Sequence, residues 1–310
     1  MIRKYDPVLI PQRADPCILL ADDGWYYFTA SVPEFDLIEL HRARTIEELP
    51  DAPERVIWRK RESGPMSRYI WAPEIHQVDG AWMIYFAAAA EEPDAQGVFS
   101  HRIYALRCTD ADPMTGTFEE CGQINTGWES FALDATTFTA GGVRYFVWAQ
   151  RDYDIPGNSN LYIARMLSAT QLALPAVRLS VPEYPWECIG FLVNEGPSVL
   201  HHGGKLYLTY SGSATDENYA MGMLTADENA DLLDPASWKK SPVPVMVTDP
   251  QHNIYGPGHN SFTRDKQGRD LLVFHARPYP GFNGTPLSDP NRNAIVWPIE
   301  YDANGEPVFN

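Results

Sequence analysis
Apolar positions in this chain fall in short runs, and almost nowhere at the three-to-four spacing that marks one face of a helix. Residues 45–49 and 226–233 come nearest to helical periodicity, each about two turns long and each followed by proline. Elsewhere β-branched and aromatic runs are bounded by Gly, Asn, Asp and Pro, the pattern of strands and tight turns. The chain is therefore predicted to be all-β.

One strand type recurs. A glycine turn leads into an aromatic-rich run at Gly24-Trp-Tyr-Tyr-Phe, Gly80-Ala-Trp-Met-Ile-Tyr-Phe, Gly142-Val-Arg-Tyr-Phe-Val-Trp, Gly204-Lys-Leu-Tyr-Leu-Thr-Tyr and Gly268-Arg-Asp-Leu-Leu-Val-Phe. These glycines are 56, 62, 62 and 64 residues apart, so five copies fill nearly all 310 residues. A further short strand precedes each glycine, beginning near Asp15, Ala72, Asp134, Glu195 and His259. About thirty residues per unit are left for two more strands. Four strands repeated five times predict a five-bladed β-propeller, one domain over residues 1–310, closed so that few strand edges stay open.

Composition narrows the partners. The formal net charge is −17, from 24 Lys+Arg against 41 Asp+Glu, which argues against nucleic-acid binding because phosphate recognition needs clustered cations. No apolar run reaches the length of a membrane helix. Cys17, Cys108, Cys121 and Cys188 lack metal-ligand spacing, and Cys108 with Cys121 is the pair spaced for a disulfide across a hairpin. The opening MIRKYDPVLIPQRADP has no apolar signal-peptide core. The cytoplasm is the expected compartment, with a secretion signal already removed as the alternative.

In a propeller the first strand of each blade lines the axis, so Asp15, Ala72 beside Trp71, Asp134, Glu195 and His259 are expected to meet there. Gathering three carboxylates is costly unless function requires it. One protonated carboxylic acid and one carboxylate are what hydrolysis of a glycosidic bond needs, and a third carboxylate can raise the donor's pKa. Nine Trp, sixteen Tyr and thirteen Phe suit the apolar faces of sugar rings.

Arg13-Ala-Asp15-Pro16, Trp71-Ala-Pro-Glu74, Leu133-Asp134, Asn194-Glu195-Gly-Pro197 and Gly258-His259-Asn resemble, in order, the motifs of glycoside hydrolase family 43. The resemblance runs from about residue 13 to Arg292. It implies an inverting hydrolase acting mainly on α-L-arabinofuranosides or β-xylosides. Asp15 would be the general base, Glu195 the general acid and Asp134 the residue that tunes it, with base and acid roughly 6.5 to 9.5 Å apart. It further implies Arg292 reaching the sugar, Trp71 and Phe35 as apolar pocket wall, and His259 beside an axial hydrated metal, often Ca2+, not required for the chemistry. A histidine that is simply satisfied in the core is the other reading of His259.

Four neighbouring residues are read differently. Glu74 is expected to hydrogen-bond between blades, Glu187 of Trp186-Glu187-Cys188 to sit on a rim loop, and Arg277 is the rival of Arg292. The stretches 90–101, 152–157 and 279–289 are long enough to wall off a pocket. An exo-acting α-L-arabinofuranosidase taking small oligosaccharides is the favoured function. β-Xylosidase, endo-arabinanase and a non-catalytic carbohydrate-binding propeller are the alternatives.

Overall fold
The computed structural model describes residues 2–95 and 97–309. Met1, Asn310 and Gln96, the last within the expected loop 90–101, lie outside the described residues. Blade one holds β1 (Ala14–Leu20), β2 (Tyr26–Ser31), β3 (Leu37–Ala43) and β4 (Arg55–Arg59). Blade two holds β5 (Arg68–Val78), β6 (Ala81–Ala89), β7 (Arg102–Cys108) and β8 (Glu119–Gln123); blade three β9 (Ala132–Ala140), β10 (Val143–Gln150), β11 (Asn160–Ser168) and β12 (Gln171–Ser180). Blade four holds β13 (Asn194–His202), β14 (Lys205–Gly212), β15 (Ala220–Asp227) and β16 (Lys239–Lys240); blade five β17 (Tyr255–Arg264), β18 (Asp270–Arg277) and β19 (Asn293–Pro298). Within each blade the strands pair antiparallel in chain order. The first strands touch in a ring, β1 to β5, β9, β13, β17 and back to β1. The protein is a five-bladed β-propeller.

Five buried clusters lie in the interfaces between blades. Successive side chains of a strand point to opposite faces, so neighbouring residues serve different interfaces. Tyr27 packs toward blade two while Phe28 packs toward blade five. Leu271 and Val273 face blade one while Leu272 and Phe274 face blade four. A strand buried on both faces has to read as an unbroken apolar run, which is why the repeat lacks alternation.

Blade five closes the ring differently from the rest. Its three strands are completed by the N-terminal segment, where Ile10 bridges Ala294: the Ala294 N–H donates to Ile10 O at 2.9 Å and the Leu9 N–H donates to Ala294 O at 2.8 Å. Ile2 and Ile10 bury their side chains in the same interface.

The expected helix at 226–233 is absent. Ala226 and Asp227 end β15, and the Asp227 and Asp231 carboxylates accept the N–H groups of Asn229 and Leu233. Those local bonds turn the backbone instead of coiling it. The stretch at 45–49 forms only a short 3-10 segment, Ile46–Asp51. All four cysteines are free, and Glu119, not Cys121, is the last β8 partner of β7.

Candidate active site
Each inner strand begins with a bulge in which one residue takes a left-handed backbone: Asp15 (φ 54°), Ala72 (46°), Asp134 (54°), Gly196 (56°) and His259 (41°). Such backbone is uncommon for side chains other than glycine, yet it recurs once per blade beside the axis. In blade four the equivalent residue is Gly196. Glu195 lies one position earlier, paired with Ser211 as Trp71 is with Ala87 and Leu133 with Ala149. The repeat thus places Asp15, Asp134 and His259 at one kind of position and Glu195 at another, a one-residue correction to the sequence alignment. A Cβ on Gly196 would sit 3.1 Å from His259 Cγ.

Asp15, Asp134, Glu195, His259 and Arg292 all line one cavity of about 430 Å³. Ser31 donates its hydroxyl to Asp15 Oδ2 at 2.6 Å, and Arg292 Nη1 donates to Asp15 Oδ1 at 3.3 Å. The Asp15 N–H donates to His275 Nδ1 at 3.0 Å, which leaves the proton of a neutral His275 on Nε2. Burial alone would push the Asp15 pKa up, but His259, the Arg292 guanidinium and His275 outweigh it and hold the carboxyl well below the usual range. Arg292 is the steadiest of the three, because burial lowers both imidazoles, His275 to about 4.

The other two acids are pushed the opposite way. Burial raises Glu195 to about 7, and burial followed by the charges of Glu195 and Asp15 raises Asp134. Two buried carboxyls that repel one another hold one proton between them near neutral pH. The Gly196 N–H donates to Asp134 Oδ2 at 3.0 Å and cannot turn away, which favours Asp134 as the anion. Tyr219 donates to Glu195 Oε1 at 2.8 Å, but its hydroxyl is free to rotate toward Ser211. These bonds favour Glu195 as the holder of the shared proton.

His259 Nδ1 lies 3.4 Å from Asp15 Oδ1 and 3.7 Å from Asp134 Oδ2. Calcium takes six to eight oxygen ligands. Among the described residues the one compact trio of candidate ligands is Glu39, His41 and Glu54 in blade one, away from the axis. One imidazole between two occupied carboxylates does not fit a protein-built calcium cage.

Trp71 lines the cavity, stacked 3.9 Å over His101 and edge-on to Phe99. Phe35 does not line it; it packs edge-on behind Trp71 with ring centroids 6.1 Å apart. Arg277 braces the rim instead of the floor, donating to Thr215 O and Pro286 O at 2.8 Å each. Glu74 is buried but bonds His76 of its own strand at 2.8 Å. Glu187 is not on the rim: it is fully buried in a single turn, Pro185–Glu187, where it binds Lys240, Tyr210 and Asn194. Its Oε1 accepts the Asn194 side-chain N–H at 2.9 Å, so it fixes the residue next to Glu195.

Ser31 and His275 were not singled out from the sequence, although each lies seven residues after a repeat glycine, as does Ser211. Tyr219 has no such signal, since it precedes β15 in a connecting loop. Rim residues come from the stretches expected at 90–101 and 279–289, with Asn158 just beyond 152–157; the 188–193 and 213–215 segments add a wall that was not anticipated.

The family model for glycosyl hydrolases family 43 matches residues 5–307. An "Extracellular exo-alpha-(1->5)-L-arabinofuranosidase" of Streptomyces avermitilis is 49% identical over 97% of the chain, which spans 62% of that protein's length. A protein of the same name from Streptomyces chartreusis is 49% identical over 91% of the chain and 85% of its own length. The crystal structure of an alpha-L-arabinofuranosidase from Lactobacillus brevis superposes with a TM-score of 0.97 at 52% identity, covering 100% of this chain and 98% of that one. Sequence motifs, blade count and whole-length similarity agree, and the chain belongs to glycosyl hydrolase family 43.

Proposed function
We propose that the protein is an exo-acting α-L-arabinofuranosidase that releases terminal arabinofuranosyl residues from short oligosaccharides with inversion. The observation that carries this is the unequal environment of the carboxyls on one cavity floor. Asp15 is held ionised by His259 and Arg292 and accepts the Ser31 hydroxyl, while Glu195 and Asp134 share a proton. In the reaction Asp15 takes a proton from water as the water oxygen bonds to the anomeric carbon. Glu195 gives its proton to the glycosidic oxygen, whose bond to that carbon breaks on the opposite face. Asp134, bonded to the Gly196 N–H, keeps the proton on Glu195 until that moment. Both transfers run between carboxyl groups, water and the leaving oxygen, so the chemistry calls for no metal.

Similarity to proteins named exo-arabinofuranosidases supports the sugar and the exo action, and a cavity of about 430 Å³ suits one sugar ring and part of the next. Their names also include the word extracellular, which favours the export alternative over the cytoplasm. No helix among the described residues is long and apolar enough to cross a membrane. Time-resolved product analysis on arabino-oligosaccharides and aryl glycosides tests the function. Free arabinose is expected as the sole early product. Internal cuts in polymeric arabinan with aryl arabinofuranoside untouched would contradict it.

A further inference from the structure
Glu195 has to deliver its proton to one oxygen, yet its own side chain is loosely held. Among the described residues one side chain donates to it, Tyr219, at 2.8 Å. The aim of the acid therefore has to come from the backbone that carries it. Asn194, the residue before it, opens β13, is fully buried and uses every polar atom it has. Its N–H donates to Ser159 O at 3.1 Å, and its O accepts the Ser159 hydroxyl at 3.3 Å. Its Oδ1 accepts the Ser180 hydroxyl at 2.6 Å, and its Nδ2 donates to Glu187 Oε1 and Val193 O at 2.9 Å each. Ser180 ends β12 and Ser159 precedes β11, so the start of β13 is pinned to blade three.

Glu187 decides which way the amide faces. Its carboxylate accepts the N–H groups of Glu183 and Tyr184 at 2.9 and 2.8 Å, the Tyr210 hydroxyl at 2.8 Å and the Lys240 ammonium at 2.8 Å. Burial would raise its pKa, but Lys240 and the two N–H groups hold it below the ordinary value. It is thus an acceptor only, and Asn194 can meet it only with the amide nitrogen. A propeller blade does not need this arrangement. At the matching position the other blades carry Arg13, Ile70, Ala132 and Pro257, and Ile70 and Ala132 are buried and apolar. A buried ion pair can often give way to apolar side chains without loss of stability, so stability leaves the network in blade four without a reason. Successive strand side chains point opposite ways, and locking Asn194 into the blade interface turns Glu195 toward the cavity it lines.

We propose that Asn194, locked by Ser180 and by the Glu187–Lys240 pair, is a positioning residue for the general acid: it holds Glu195 where its proton meets the glycosidic oxygen. Asn194 does not line the cavity, so it acts through Glu195 alone. This rests on Glu195 being the acid.

Methyl and para-nitrophenyl α-L-arabinofuranosides make the test. Methoxide is too basic to leave without a proton, whereas nitrophenolate departs as the anion and needs little help from an acid. Asn194→Ala, which gives blade four the residue of blade three, is expected to lower kcat/KM for the methyl compound about 10²-fold and to leave the para-nitrophenyl compound near native. Both substrates are read on one sample, so a merely structural defect lowers both alike. Equal losses, or none, overturn the positioning role. Ser180→Ala removes a single hydroxyl and keeps the Glu187 contact, so it serves where Asn194→Ala does not fold; a smaller loss confined to the methyl compound is expected, and equal losses or none again overturn the role. Glu195→Gln separates the two readings. A methyl-selective loss there that is missing from Asn194→Ala defeats the positioning alone, while equal losses in Glu195→Gln defeat the acid assignment and the positioning with it. Where turnover is confined to xylosides, the same pair as β-D-xylopyranosides reads the same ratio.

Discussion
Asp15 and Glu195 are both carboxyls beside the same axis, and their opposite charge states come from their partners. Asp15 faces a guanidinium and a donating hydroxyl; Glu195 shares its proton with Asp134. Asp15→Asn and Glu195→Gln are each expected to lower turnover about 10² to 10⁴-fold with melting unimpaired, and wild-type turnover in either would remove that residue from the chemistry. The pH profile should be a bell. Its acidic limb, where Asp15 takes up a proton, lies below the usual carboxylate range. Its basic limb, where Glu195 loses one, lies near 7. Asp134→Asn removes the negative neighbour that keeps the proton on Glu195, so the basic limb should move down; a limb that stays in place contradicts the tuning role. Asp15 and Asp134 were legible in the sequence because the repeat aligned them, and Glu195 because it stands one residue before the aligned position. Tyr219 was not, because a residue in a connecting loop reaches Glu195 only through the folded geometry.

Among the elements, β13 shows most clearly how the repeat has been altered. Its left-handed position is Gly196, whereas blade two tolerates Ala72 in the same backbone. Blade two bears that strain with a methyl group; at Gly196 a Cβ would add crowding to it, 3.1 Å from the His259 ring. Gly196→Ala is expected to cost roughly 1–3 kcal/mol and to depress turnover by displacing His259, read by thermal melting and kcat. A variant with native melting and kcat would show that the close packing is not needed. The reading of residues 226–233 failed because apolar spacing ignores the aspartates that turn the chain. Glu187 was misplaced for a related reason: sequence position put it on a loop, but only the fold brings Lys240, Tyr210 and Asn194 around it.

On the scale of the whole molecule, closure depends on the N-terminal segment completing blade five. Deleting residues 1–10 removes the Ile10–Ala294 bridge and the buried Ile2 and Ile10. Burial of two such side chains contributes about 3–6 kcal/mol as an upper value. The melting midpoint should fall by several degrees, and an unchanged midpoint would mean the ring closes without that segment. Blade count was legible because each unit repeats its glycine turn; the way the ring closes was not, since residues 9 and 10 fall outside the repeat. Under the proposed function the assembled ring matters to chemistry because an inverting reaction needs the base and the acid on opposite faces of the sugar. That claim is tested most directly by proton NMR of the first product released from an α-L-arabinofuranoside. The β-anomer should appear first and then mutarotate; initial release of the α-anomer would mean retention and would contradict the roles given to Asp15 and Glu195.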